Sequence, residues 1–598
     1  MKKVLFRALP ALIACLMLPV NAAERPSLPA NVPALVEVTD LAQAEQKLQN
    51  LLRRLVPGAP FSSLRTALSG PARTDDPSVL DLSAPLLLVT CRDGDVAAPV
   101  FTFGVLDADR YLDALPQNLH GGETDGNLHL YEEDPLNAFD ENVWDAGPAR
   151  PLAIMIVDDR VVLGRNPDGV RAVGSLVADG TLAGKSFFPQ ADAGVAVRIR
   201  DLVGALDEQG RNPFEMLRGE IDRAAVHLPR QAQVNLDMGR MAIATVEAAA
   251  TQVEVVEATL TLAPDAIVVT KSVQPVVGSA LAAHLTTVEG RALDFMGSLP
   301  AGAVAVFAAH VGDPAPTLDL YMRLLSALAG SDESAAESLA RIREKVTEML
   351  AVMDGRLATA IAVSPQGFLV PVNVAGVKDA ARAQEVFQSL LPLVEDVARQ
   401  ARTGVTTRVA MTPDAATHAG HTIAEWDYDL QFEETGQPEA AQAVAMQREM
   451  MAAMMGPDLR AYSAFVDEAW MVWQGSGALD GLKAALDGSL SSLAGRPEFK
   501  AAMAGMPAEP AVVGYVDLGG LIGAYVRALA SAMENAGMPF LPFGRNLRFA
   551  PAPGVGLAAA VDDAGRLQAR LVVPVEALSS LVNGFMQAFM AGPPARLP

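Results

Sequence analysis

Two histidines and a run of alternating carboxylates form the densest set of chemistry-bearing side chains in the sequence: His418, His421, Glu425, Asp427 and Asp429, within "THAGHTIAEWDYDLQFEE". Imidazole and carboxylate together can hold a divalent transition metal, so His418 and His421 are candidate metal ligands. A structural explanation competes. Ala419-Gly420 between the histidines predicts a hairpin turn, and acids at every second position beside Ile423 and Trp426 predict the wet face of a strand. The lack of HExxH removes the usual zinc-hydrolase arrangement.

A second candidate is a thioether face. Of 23 methionines, 7 precede Ser298 and 16 follow it. In "AVAMQREMMAAMMGPDL", Met446, Met450, Met451, Met454 and Met455 share one side of a helix by their spacing. Such a face can adapt to an apolar ligand or polypeptide partner, or bind copper(I) through sulfur. A helix packed into a core uses the same pattern.

Other motifs read structurally. Asp107 and Asp379 each follow a strand and precede a helix in "GVxDAxR", which predicts N-terminal caps, with Arg110 and Arg382 three residues on. The acidic run from Tyr131 to Asp145 lacks the glycine-punctuated spacing of a calcium loop and reads as solvated. Cys91, in "LLLVTCRDG", has neither a CxxC nor a Cys/His partner and reads as a buried strand residue. No Walker A, GxGxxG, GxSxG, SxxK, HExxH or CxxC motif occurs, and nothing calls for a cofactor.

The elements that would position these residues begin with an address. Residues 1–22 run from basic MKKVLFR through an apolar stretch to Asn21-Ala22, the zones of a secretory signal peptide with cleavage after Ala22. That places the chain in the periplasm or outside the cell, with no transmembrane helix left in the mature protein. An alternative uses Leu12-Ile13-Ala14-Cys15 as a lipobox, tethering the chain to a membrane through Cys15. The formal charge of −24 becomes three units more negative when Lys2, Lys3 and Arg7 leave. A chain this acidic repels phosphate backbones, which argues against nucleic acid as a partner. Its 51% apolar residues supply ample core.

The body reads as a duplication. "SLPANVPALVEVTD" from Ser27 is answered by "SLPAGAVAVFAAHV" from Ser298. "PVFTFGVLDADR" from Pro99 matches "PVNVAGVKDAAR" from Pro371 at seven of twelve positions. The expected domains are copy one at 23–297 and copy two at 298–598, the latter with a Met-rich helical insertion near 440–458. Asp93-Gly94, Pro167-Asp168-Gly169, Pro264-Asp265, Pro365-Gln366-Gly367 and Asp563-Ala564-Gly565 are expected to turn paired strands. The fold class is therefore α+β: two tandem homologous copies, with antiparallel sheets built from hairpins and covered on one face by helices.

The exported N-terminus, the "LPA" openings and the "PVxxxGVxDAxR" segments resemble a family of exported bacterial envelope proteins of unknown function with duplicated strand-helix modules. The resemblance implies a secreted, duplicated α+β architecture and assigns no catalytic residue. Three functions follow from the sequence as expectations. The first is non-enzymatic binding or scaffolding of an apolar ligand or an envelope protein. The second is an envelope hydrolase with dispersed acidic residues, and the third is metal sequestration.

Overall fold

The computed structural model describes residues 28–590, except 59–60, 62, 94–95, 118, 134–150, 183–185, 209–211, 226–238, 241–242, 245, 314–332, 390–404, 433–448 and 536–546. The expected signal peptide at 1–22 with Cys15, Met446 and most of the acidic run therefore lie outside the described residues. The chain is α+β. It divides into two compact units: residues 1–217, 247–282 and 562–571 form one, and residues 218–246, 283–561 and 572–598 the other.

The first unit is built on strands β1 (Ala34–Val38), β2 (Leu80–Asp81), β3 (Leu86–Asp93), β4 (Val96–Val105), β5 (Leu119–Asp125), β6 (Leu128–Glu133), β7 (Leu152–Val157), β8 (Arg160–Gly164), β9 (Ala193–Arg198), β10 (Val253–Leu262) and β11 (Ala266–Pro275). Antiparallel pairing runs β11-β10-β9-β1-β3-β4-β8-β7-β6-β5, with β2 alongside β4.

Helices cover both faces of this sheet, where one was expected. Helix α4 (Pro167–Ala178) places Val170, Val173 and Val177 over Leu87, Val89, Val100 and Val162. On the other face lie Leu41 of α1 (Leu41–Leu55), Leu68 of α2 (Leu64–Ser69) and Tyr111 of α3 (Ala108–Asp113), over Phe103, Ile154, Val161 and Leu163. The cause is in the strands: "LAIMIV" of β7 and "RVVLG" of β8 are apolar at odd and even positions alike, so both sides must leave water.

Pro167-Asp168-Gly169 is also not a hairpin turn; it is the first turn of α4. Asn166 caps it, its side-chain oxygen accepting from the N–H groups of Asp168 (3.1 Å) and Gly169 (3.4 Å). Pro167 at the first helical position forfeits only an N–H that the helix leaves unpaired. Pro264-Asp265 does turn β10 into β11.

The second unit contains β12 (Ala303–His310), β13 (Met353–Val363), β14 (Leu369–Val377), β15 (Val405–His418), β16 (His421–Phe432), β17 (Ala461–Val466), β18 (Ala469–Gln474), β19 (Val512–Val516) and β20 (Val555–Val561). The pairing runs β20-β19-β12-β13-β14-β18-β17-β16-β15, again antiparallel throughout. Ala478 and Leu482 of α5 (Ala478–Leu486) close the main core over Val372, Val374, Ile423 and Trp473. Residues 380–389 form a helix on the opposite face, above Trp426 and Trp470.

Candidate functional site

The cleft of interest lies in the second unit, between the helix at 380–389 and the outer strands of its sheet. Its strand wall begins at the β15–β16 hairpin, where His418 and His421 pair across a two-residue turn. Ala419 and Gly420 both take positive φ, 48° and 84°, the left-handed pair that matches the twist of two joined strands. Glycine fits its position without strain, whereas Ala419 carries a side chain there.

Alternation along β16 then sends Thr422, Ala424 and Trp426 to the cleft side and Ile423 into the main core. Ala424 opposes Ser463, and Trp426 opposes Ala461 and Met411. The Trp426 indole is 5% exposed, and its N–H donates to Ser463 Oγ at 2.8 Å. Because a buried indole without an acceptor costs about 1–3 kcal/mol, this bond fixes how Trp426 lies.

The helical wall is held by its cap. Asp379 Oδ1 accepts from the Arg382 N–H at 3.0 Å, as "GVxDAxR" predicts, and Asp107 does the same for Arg110 in α3, also at 3.0 Å. Ala383 and Val386 are buried beneath the helix, and Gln384, Phe387 and Gln388 face the cleft. The Phe387 ring stands 4.3 Å from that of Trp470, centroid to centroid, and edge-on to Trp426 at 5.3 Å. Phe465 stacks with Trp470 at 6.1 Å. Such aromatic pairs contribute about 0.5–1.5 kcal/mol each beyond burial, so the four rings form a firm wall.

The cleft volume is about 250 Å³, and among the described residues no Asp, Glu, Lys or Arg lines it. His421 supplies one polar edge. Its Nδ1 lies 3.1 Å from the Phe465 carbonyl oxygen. In the neutral ring that carbonyl selects the Nδ1–H tautomer, leaving Nε2 as an acceptor. His418 turns to another partner, its Nε2 lying 2.9 Å from Asp487 Oδ2. The hairpin thus pairs the two histidines in register while each ring takes its own partner. Among the described residues, no three His, Cys, Asp or Glu side chains gather as a metal set.

Residues 449–455 are helical, and Met450, Met451, Met454 and Met455 are each half-buried. None of them lines the cleft; Met411 does. Sequence reasoning passed over Phe387, Phe465, Trp470 and the two glutamines, which come from two separated stretches, 384–388 and 465–470.

A second polar group is buried in the first unit. Glu37, Leu87, Thr102 and Val162 lie in one row across β1, β3, β4 and β8, and Arg160 is two residues along β8 on the same face. Glu37 Oε2 accepts from the N–H groups of Phe187 (2.8 Å) and Phe188 (3.2 Å). Burial outweighs these bonds and the nearby Arg160, and pushes the Glu37 carboxyl above its ordinary range. Burial likewise lowers the Arg160 guanidinium, whose Nη2 donates to the Pro85 carbonyl at 3.2 Å. Cys91, in β3, is also buried.

Among the described residues, no helix is long and apolar enough to cross a membrane. No protein-family model and no curated protein matches the chain. Solved structures give distant likenesses. Crystal form IV of TP0453 aligns at 12% identity with a TM-score of 0.22, over 48% of this chain and 95% of that one. Crystal form III aligns at 12% with a TM-score of 0.21, over 48% and 96%. Scores this low carry no argument, and the reading of this chain rests on its own residues.

Proposed function

We propose that the chain is an exported, non-enzymatic binding protein of the bacterial envelope, made by duplication of one α+β unit, and that it holds an uncharged ligand with an apolar body in the cleft beneath residues 380–389. The observation that carries this reading is the cleft: about 250 Å³, walled by Phe387, Trp426, Phe465 and Trp470, with isolated polar groups and, among the described residues, no Asp, Glu, Lys or Arg. A concave site that sets ring surfaces beside a few convergent polar atoms is a usual form of small-molecule site.

Its polar groups are arranged for holding rather than for reaction. Ser463 Oγ accepts the Trp426 indole N–H, and the His421 Nδ1 meets a carbonyl oxygen, so among the described residues no nucleophile is joined to a base there. Duplication draws support from the pairings, since β9-β1-β3-β4-β8-β7-β6-β5 and β19-β12-β13-β14-β18-β17-β16-β15 run through equivalent strands in one order. Export draws its support from the basic, apolar and small-residue zones of residues 1–22.

Native mass spectrometry of the protein purified from its own envelope tests the reading. A copurifying neutral molecule that is lost on Phe387→Ala is the expected result. A bare chain mass, unchanged after incubation with envelope extract, overturns it.

A further inference from the structure

The described lining of the cleft is too polar for a hydrocarbon and too neutral for an ion. Gln384 and Gln388 stand one helical turn apart on its helical wall. Each carries an amide with donors and an acceptor. Facing strands add the Thr422 hydroxyl and the Nε2 of His421, whose Nδ1 is engaged by Phe465. An acyl chain in this space would strip water from these groups and give no hydrogen bond in return, at roughly 1–3 kcal/mol for each group. Among the described residues that line the cleft, an anion or cation would meet no Asp, Glu, Lys or Arg as counter-charge. The occupant must therefore present C–H surface to the rings and hydroxyl or amide groups to the glutamines.

Resting on the reading of the cleft as a binding site, we infer that it takes one neutral saccharide ring, a hexose or N-acetylhexosamine, free or as a unit of a glycan. A pyranose has the required two-sided character: axial C–H bonds over one face and a rim of hydroxyls that both donate and accept. A cavity of about 250 Å³ has room for one such ring. The acetamido group of an N-acetylhexosamine matches a primary amide donor for acceptor and acceptor for donor.

The test is titration of the full-length protein, followed by tryptophan emission, since Trp426 and Trp470 both line the cleft. Probes are glucose and N-acetylglucosamine with their short oligomers, against 1-decanol and an uncharged proline-rich peptide. Saturable saccharide binding is expected, weakened at least tenfold in Gln384→Leu with Gln388→Leu while that variant keeps or gains decanol binding. Should the double variant fail to fold, Gln384→Ala and Gln388→Ala are read singly, each with a loss of saccharide affinity. Decanol or peptide binding without saccharide overturns the inference and leaves the cleft as a binding site. Silence toward every probe overturns both.

Discussion

The carboxylate of Glu37 reaches across 150 residues of sequence to accept the backbone N–H of Phe187 at 2.8 Å, ending β1 against the loop that leads into β9. Burial raises this carboxyl above its ordinary value of 4.5, so the folded chain keeps a proton that the unfolded chain releases. Stability should therefore fall as pH rises from about 4.5 through the raised folded value. Urea unfolding of the parent and Glu37→Gln across that window should show the variant gaining on the parent with rising pH. Asp458, held low by its hydrogen bonds with Arg460, acts below its ordinary 3.8 and in the opposite sense, so the two effects occupy separate pH ranges.

Ser463→Ala removes the acceptor of the Trp426 indole and leaves a buried N–H unpaired. The expected cost is about 2 kcal/mol in denaturant unfolding, with a change in tryptophan emission. An unchanged midpoint would mean that Trp426 does not depend on this bond.

Glycine to alanine in a helix interior ordinarily gains stability. Gly481 of α5 should behave in the opposite way, because an added methyl would overlap the rigid Trp473 ring. Gly481→Ala is expected to cost about 2 kcal/mol by overpacking. Gly174 of α4 faces the end of the flexible Met155 side chain, and Gly174→Ala should change stability by no more than about 0.5 kcal/mol as the thioether swings aside.

Loss of the cap at Asp379 loosens the helix that walls the cleft. Asp379→Ala should cost about 1 kcal/mol and weaken cleft binding as well. Asp107→Ala carries the same stability cost in thermal unfolding and leaves cleft binding unaltered.

The His418–Asp487 pair is partly exposed, with side chains 30% and 47% accessible. A double-mutant cycle should give a coupling below about 1 kcal/mol that shrinks with added salt. A larger coupling would show that the hairpin tip is fastened by this pair.

Local chemistry was legible in the sequence where a residue acts on its immediate neighbours. Asp107 and Asp379 cap because the N–H they satisfy lies three residues away, and Ala419-Gly420 turns because both can take the left-handed backbone. Reading failed where distance in the chain decides the outcome. Glu37 sits in "ALVEV", where Glu among apolar residues suggests the solvent side, yet Glu37 is 1% exposed and Val36 37% exposed. Only the loop at Phe187 and Phe188, far along the chain, supplies the N–H groups that draw the carboxylate inward. The cleft stayed hidden for the same reason: Trp426, Phe465 and Trp470 meet through the pairing of β16, β17 and β18, and Phe387 reaches them from the helix at 380–389.

Strand β1 lies between β3 and β9, its Ala34 opposite Val197, and the first unit also takes in residues 562–571. During synthesis the earliest strand must wait for more than a hundred and fifty residues before its second neighbour exists, and that unit acquires its last segment only near the end of the chain. Closure over such spans is slow, and it leaves an apolar strand edge open to pairing with other chains. A nascent chain released at residue 297 would lack the 562–571 segment altogether, so the yield of native protein should depend on how quickly translation reaches Leu571.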